Sequence, residues 1–327
     1  VSEITNIAEI PGIYAASATS EDAGTGCTVI ICPKGAVGGV DVRGGAPATR
    51  ETDLLRPEET VGVLHAVVLS GGSAYGLAAA CGVAEELERS EIGLDVGVGL
   101  VPIVSSACLF DLACGDGHVR PTSDFGVAAV RSALDNPKEP LDRGNVGAGA
   151  GCTVGKFAGP DRCMKSGLGQ GVQSAGSLVC GAVSAVNAVG NIKDPSTGTY
   201  IAGVLDDKKG TVLSPDQFFQ DMAKGAGEAK MPLRTNTTIS CIATNAKLTK
   251  AQATKVAQMA ADAYAHTIYP THTTNDGDTI FVMATGEVEA PVDVVGVMAT
   301  SALEKAILDA AWSAEGAYGH PSARDIA

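Results

Sequence analysis

The sequence predicts an α/β protein folded as a single domain of layered sheets and helices, and three observations carry that prediction. Apolar residues make up 45% of the 327 residues while aromatics make up only 4%, so buried elements must be built from Ala, Val, Ile and Leu. The 41 glycines punctuate short apolar runs and permit close packing. The last third alternates strand and helix signals, with no fixed-period repeat and no low-complexity linker to mark a domain boundary. A chain this long buries a sizeable core.

In order along the chain, residues 28–32 and 61–69 are short apolar runs, and the turn Gly71-Gly72-Ser73 follows the second. Residues 74–87 read as a buried Ala-rich helix, 101–109 as a strand and 127–134 as a helix. After the Gly-rich bend at 147–151, which runs on to Lys156, strands are expected around 176–190 and 200–205. Residues 237–244 alternate with the period of two that marks a strand. Thr249-Lys250-Ala251-Gln252 is a capping box, and Val256, Met259, Ala260 and Ala263 keep helical spacing behind it. Residues 280–284 form a last strand, and Leu303, Ile307, Ala310 and Ala311 line one face of a C-terminal helix.

Composition excludes some functions. A net charge of −14, with Lys208-Lys209 the only short basic cluster, argues against nucleic acid, whose phosphates need a concentrated basic surface. The nine cysteines contain no C-x-x-C pair and sit mostly in apolar context, which fits a reducing cytoplasm better than a disulfide framework. No basic segment leads into an apolar stretch and no run of 18 apolar residues occurs, so neither a signal peptide nor a membrane span is expected.

Familiar motifs come close and fail. The G-x-x-x-x-G-K spacing of a phosphate loop would put its first glycine at Ala150, and Phe157 stands where a magnesium-binding Ser or Thr belongs. The glycines at 147, 149 and 151 and at 167, 169 and 171 miss G-x-G-x-x-G. Gly72-Ser73 lacks the G-x-S-x-G spacing of a serine elbow. The five histidines show no metal-ligand spacing, so neither metal nor cofactor is expected.

Five motifs remain, in order: Val40-Asp41-Val42-Arg43-Gly44-Gly45-Ala46-Pro47 with Thr49-Arg50-Glu51-Thr52; Leu69-Ser70-Gly71-Gly72-Ser73-Ala74-Tyr75-Gly76-Leu77; Val146-Gly147-Ala148-Gly149 through Gly155-Lys156; Asn236-Thr237-Thr238-Ile239-Ser240; and His272-Thr273-Thr274-Asn275-Asp276-Gly277-Asp278-Thr279-Ile280-Phe281. Together they resemble the P1 peptidase family (the DmpA or S58 type), which includes β-peptidyl aminopeptidases and nylon-oligomer hydrolases. The resemblance covers nearly the whole chain. It implies an αββα sandwich shared with ornithine acetyltransferases, a dimer-of-dimers assembly, and autocleavage into residues 1–236 and 237–327. Thr237 matches the residue that becomes the new N-terminus and nucleophile, and Lys156 and Asn187 match polar residues beside it. Asp276 and Asp278 match a facing acidic pair, which is Asp–Asp in the nylon-hydrolase branch and Ser–Glu in the aminopeptidase branch. Phe110 stands where the nylon hydrolases carry a substrate-side tyrosine. The aminopeptidase branch holds its substrate ammonium with a glutamate where this chain has Ser105-Ser106, leaving Asp111 as the nearest acid. Phe110, Asp111 and Tyr75 are the candidate substrate-binding residues.

The chemistry suits these residue types. A threonine hydroxyl needs a base, and the α-amino group freed by cleavage at Asn236–Thr237 has an ordinary pKa of roughly 7.7–8.0. Cleavage therefore makes the base as it exposes the nucleophile. Two aspartates two apart share one face of an extended strand, where they would orient the Thr237 ammonium or Lys156. Lys156 would tune the amine, and Asn187 would donate to the developing oxyanion. Each also has an ordinary reading: Thr237 and Thr238 as β-branched strand residues, Asp276-Gly277-Asp278 as a turn with glycine at positive φ, Lys156 as a solvated lysine, Asn187 as a loop or cap residue, and Tyr75 and His65 as packing residues. His272 is expected to position its loop, and His266 to sit near a helix end. The expected activity is hydrolysis of small peptides or oligoamides, including 6-aminohexanoate oligomers. Acyl transfer of the ornithine-acetyltransferase type and a non-catalytic binding role are the alternatives.

Overall fold

The computed structural model describes residues 4–208, 210–224 and 236–327, so Lys209 of the Lys208-Lys209 pair lies outside the described residues. Nine strands form one mixed sheet: β1 (Tyr14–Ser20), β2 (Thr25–Val42), β3 (Thr49–Arg50), β4 (Leu64–Ser70), β5 (Val104–Cys108), β6 (Leu168–Ala175), β7 (Leu178–Asn187), β8 (Thr237–Ala246) and β9 (Thr279–Val288). The order is β6-β7-β8-β9-β2-β4-β5-β3, with β1 also pairing β2. The β8–β9 and β4–β5 pairs are parallel and the remainder antiparallel.

Strand β2 explains how one sheet makes two layers. Its residues 27–31 pair with β4, its residues 37–42 pair with β9, and the register shifts between Ile31 and Ala36. Gly35 sits inside that shift at φ 78°, a conformation that side chains with a Cβ resist. The sheet folds over at this point, and the alternation of side chains then sorts residues into separate cores. Ile30, Leu69, Val183, Ile239, Cys241 and Phe281 point between the two layers. Val29, Ile31, Ala66 and Val68 point outward onto helices α1 (Ala79–Arg89) and α2 (Ser123–Asp135). On the other side Ile242, Ile280 and Val282 pack beneath α4 (Lys250–Ala260), α5 (Asp262–Thr267) and α6 (Val292–Ser313). A further helix, α3 (Pro215–Lys224), lies between β7 and β8 in sequence. The layers run helix, sheet, sheet, helix, as expected of an αββα sandwich.

Strand β8 was legible because it alternates, yet every one of its residues is buried, since both of its faces are covered. The capping box at Thr249 and Gln252 forms as expected, and Leu303, Ile307, Ala310 and Ala311 are all buried on α6. The expected helix 74–87 begins as a 3-10 segment, Ser73–Ala78, before α1. The strand expected at 101–109 is broken: Leu100–Val101 belongs to a separate hairpin with Leu94–Asp95, and Pro102, which has no N–H to donate, precedes β5. The helical run through Ala263 is two helices that meet at Ala261.

Strand β6 gave no strand signal because its glycines answer to a helix. A Cβ at Gly169 would lie 2.1 Å from the Ala306 carbonyl oxygen, and one at Gly171 would lie 2.3 Å from that of Ala302. These glycines let α6 lie directly on the sheet. Replacing Gly169 by Ala is expected to lower stability by about 1–3 kcal/mol or more through overpacking against backbone that cannot retreat. Gly62→Ala, which meets nothing within 4 Å, is the control and should change stability by less than about 0.5 kcal/mol. Urea denaturation of both variants measures the difference, and equal effects would contradict this packing account.

Candidate active site

The predicted residues converge at the ends of three neighbouring strands. Thr237 is the first residue of β8, and Asn187, the last of β7, is its cross-strand partner. Asp276 and Asp278 lie in the loop that leads into β9, the parallel neighbour of β8. Asn236, Thr237, Asn187, Lys156, Asp276 and Asp278 are all buried.

The Thr237 hydroxyl is held between two backbone groups. It hydrogen-bonds to the carbonyl oxygen of Asn236, the residue just before it. The Gly277 N–H donates to the same hydroxyl at 3.1 Å. The ordinary turn reading of Asp276-Gly277-Asp278 would put Gly277 at positive φ, which it does not adopt. Its constraint is space: a Cβ there would sit 2.8 Å from Thr237 Oγ1 and 3.0 Å from the Ala46 carbonyl oxygen.

The two aspartates lie outside the strand and do not share a strand face, because each closes a hydrogen-bonded loop of its own. Asp278 Oδ1 accepts from the Thr238 N–H at 2.8 Å. Its Oδ2 accepts from the His272 N–H at 3.0 Å, from His272 Nδ1 at 2.9 Å and from the Thr271 hydroxyl at 3.2 Å. His272 thus positions its loop as expected, at φ 54° and stacked on the buried Tyr264 ring. Asp276 Oδ2 accepts from the Thr273 N–H at 2.8 Å and from its hydroxyl at 2.5 Å, and the Val189 backbone also supports the carboxylate. Burial first, and the charge of Asp278 second, push the Asp276 carboxyl up to about 6.

The Arg43-Gly44-Gly45-Ala46 motif is the latch for this loop. The Arg43 and Gly44 N–H groups donate to the Asp278 carbonyl, Gly45 to that of Thr273 and Ala46 to that of Asp276, at 2.8–3.3 Å. A Cβ at Gly44 would fall 2.3 Å from the Asp276 carbonyl oxygen, so only glycine allows this approach.

Lys156 enters from the Gly-rich bend, turned inward after Gly155 at φ 74°. It is buried, not solvated, and Nζ donates to the Asn187 carbonyl at 2.9 Å and to Asn187 Oδ1 at 2.6 Å. Burial brings its ammonium down to about 8. Asn187 was expected to donate to an oxyanion. Its Nδ2 donates to the Phe110 carbonyl at 2.7 Å, and its Oδ1 accepts the Thr153 N–H at 3.0 Å as well as Lys156 Nζ.

The three substrate-side candidates separate. Phe110 and Asp111 line a cavity of about 170 Å³ together with Lys156 and Thr153. Asp111 also holds the Gly71-Gly72 turn, accepting from Gly72 N–H and from Thr25 Oγ1, each at 2.7 Å. Tyr75 is neither packed nor in that cavity: it is 61% exposed, with the Arg120 guanidinium 3.9 Å from its ring centroid. His65 is a core residue as expected, its Nδ1 accepting the Ile103 N–H. His266 sits in the last turn of α5 and pairs with Glu304.

Sequence reasoning missed Gly277, Thr273 and Lys165. The last is fully buried, with Nζ on the carbonyls of Gly149, Cys152 and Ser166. A lysine between Met164 and Ser166 carries no sequence signal of burial, whereas Gly277 between two acids could have been read as a close approach.

Residues 5–323 match the model of Peptidase family S58. An uncharacterized aminopeptidase of Mycobacterium leprae (strain TN) is 42% identical over 319 residues, covering 91% of this chain and 85% of its own length. A 6-aminohexanoate-oligomer endohydrolase of Paenarthrobacter ureafaciens is 33% identical over 288 residues, covering 86% of this chain and 76% of its own. Among solved structures, a Burkholderia sp. β-aminopeptidase superposes with a TM-score of 0.68 at 19% identity, over 97% of this chain and 89% of that one. An L-aminopeptidase D-Ala-esterase/amidase from Ochrobactrum anthropi, described as a variant of the N-terminal-nucleophile hydrolase fold, gives 0.68 at 20% identity, over 96% and 89%. These two share the fold.

The raised Asp276 carboxyl has a stability consequence. Its folded pKa lies above its unfolded one of 3.8, so between about pH 4 and 6 the folded state holds the extra proton and stability falls as pH rises. Asp276→Asn removes that loss. In a Thr237→Ala background, its stability relative to the Asp parent should climb across this window, by on the order of 1–3 kcal/mol in urea titrations. A difference that stays flat with pH would contradict the burial argument.

Proposed function

The chain belongs to peptidase family S58, and on that premise we propose that it is an amide hydrolase whose nucleophile, Thr237, becomes a new N-terminus by self-cleavage of the Asn236–Thr237 bond. The observation that carries this reading is the Thr237 hydroxyl, bonded at once to the Asn236 carbonyl and to the Gly277 N–H. Attack of Oγ1 on the Asn236 carbonyl carbon, transfer of the acyl group from nitrogen to oxygen and hydrolysis of the ester leave an Asn236 carboxylate and a free Thr237 amine.

That amine then serves the substrate. In its neutral form it takes the Thr237 hydroxyl proton as Oγ1 attacks the substrate amide, and it returns a proton to the departing amine. Water hydrolyses the resulting ester. The Gly277 N–H holds Oγ1 in place, Asp278 fixes the following peptide through the Thr238 N–H, and Lys156, held by Asn187, sets the local positive potential.

Substrates of this reading are small peptides or oligoamides, in keeping with relatives named aminopeptidase and 6-aminohexanoate-oligomer endohydrolase. The proposed cellular form is a cytoplasmic homotetramer, a dimer of dimers. Nine free cysteines support a reducing compartment, and exposed apolar residues such as Val294 and Val297 on α6 suit burial between subunits.

The processed protein, given amino-acid p-nitroanilides and 6-aminohexanoate oligomers, should release amine and show a transient acyl adduct on the fragment that begins at Thr237. Turnover with no adduct would reject the acyl-enzyme, and transfer of the acyl group to added L-ornithine in preference to water would move the assignment to acyl transfer. The charge of Lys156 opposes protonation of the amine, so processed Lys156→Met should shift the acid limb of kcat/KM upward by about one pH unit. An unmoved limb would remove Lys156 from that role.

A further inference from the structure

The cavity beside Lys156 has a chemistry that selects among amides. It encloses about 170 Å³, and Phe110, Ala113, Cys114, Pro160 and Cys163 supply its apolar wall. Burial pushes both thiols up, that of Cys163 to about 11, so they remain neutral and behave as small apolar groups. A dry apolar cavity of about 150 Å³ holds benzene, so this one has room for a phenyl ring.

The cavity is linked to Thr237 through Asn187. Thr153 and Lys156 are both in its lining, and both donate to Asn187 Oδ1, on the residue paired with Thr237 across the strands. The Phe110 carbonyl accepts from the same asparagine, so the wall and the catalytic residues form one hydrogen-bonded unit.

Charge decides what enters. Among the described lining residues the one carboxylate is Asp111, and it is committed: Oδ1 to the Gly72 N–H and Oδ2 to the Thr25 hydroxyl, with 3% of the residue exposed. The fixed cation in the lining is Lys156, and His320 adds no negative charge. An ammonium group placed here would lose its water, meet no uncommitted carboxylate among the described lining residues and lie close to the Lys156 ammonium.

Building on the amide-hydrolase reading above, we propose that this cavity is the acyl pocket and that it selects an uncharged apolar acyl group of about phenyl size over one bearing a free α-amine. The selection operates on the group whose carbonyl Thr237 attacks. A free N-terminus on the substrate then counts against binding, and preferred substrates are acyl amides or amides whose amino group lies far from the scissile bond.

A matched pair isolates that one charge: 3-phenylpropanoyl p-nitroanilide and L-phenylalanine p-nitroanilide differ by the α-ammonium. The processed protein should hydrolyse the first with kcat/KM higher by about tenfold or more. Thr237→Ala, which keeps the uncleaved pocket described here, should bind 3-phenylpropanamide more tightly than L-phenylalaninamide by a similar factor in calorimetry. Ala113→Trp, at an exposed rim position, should lower turnover of the phenylpropanoyl substrate relative to acetyl p-nitroanilide, a ratio that a general loss of fold would leave unchanged. Preference for the phenylalanine compounds, or a ratio untouched by Ala113→Trp, overturns the proposal. Selective binding of the amide with neither anilide hydrolysed would uphold the pocket and defeat the hydrolase reading instead.

Discussion

Buried Asp278 ties three separate segments of the chain to one point. Its side chain takes hydrogen bonds from Thr238 at the start of β8 and from Thr271 and His272 in the loop before β9. Its carbonyl takes the Arg43 and Gly44 N–H groups that follow β2. With those bonds made, Gly277 has one place to go, and its N–H meets the Thr237 hydroxyl. The folded-over sheet exists to bring β2, β8 and β9 side by side, and this residue converts that adjacency into a geometry of a few ångströms.

The arrangement costs stability, and on the proposed reading it serves reactivity. Lys156, Lys165, Asp111, Asp276 and Asp278 are all withdrawn from water within one region. Buried charges of this kind add little net stability even when well paired. On the hydrolase reading, what they supply is a fixed local field with no solvent to reorganise when charge develops. Burial brings Lys156 down to about 8, into the range of an α-amino group, so cleavage would place two bases of similar strength near one another.

The layers were legible in the sequence because burial on two faces leaves a period-two signature. Residues 237–244 alternate between an inter-sheet core and a helix-facing core, and the alternation marked β8 although no face of it meets water. The site was legible as a set of residues, through motifs whose order resembles a known family. Its geometry was not. The aspartates read as strand neighbours close separate loops, because Thr271, His272 and Thr273 compete for them locally. The glycines of β6 and of Arg43-Gly44-Gly45 answer to partners more than a hundred residues away, Ala306 and Asp276, which no local pattern encodes. Tyr75 read as a packing residue, yet it stands exposed under Arg120, since helix periodicity does not hold through the 3-10 segment that carries it.

The Thr237 hydroxyl is hydrogen-bonded to its own preceding carbonyl, and the proposed consequence is that the chain cuts itself there. Intact-protein mass spectrometry of freshly purified wild type beside Thr237→Ala addresses it directly. At roughly 0.1 kDa per residue, cleavage at Asn236–Thr237 gives wild-type fragments of about 24 and 9 kDa, and the alanine variant stays at the full 32.8 kDa. Wild type that remains whole under every condition, or an alanine variant that is cut at the same bond, would contradict the account.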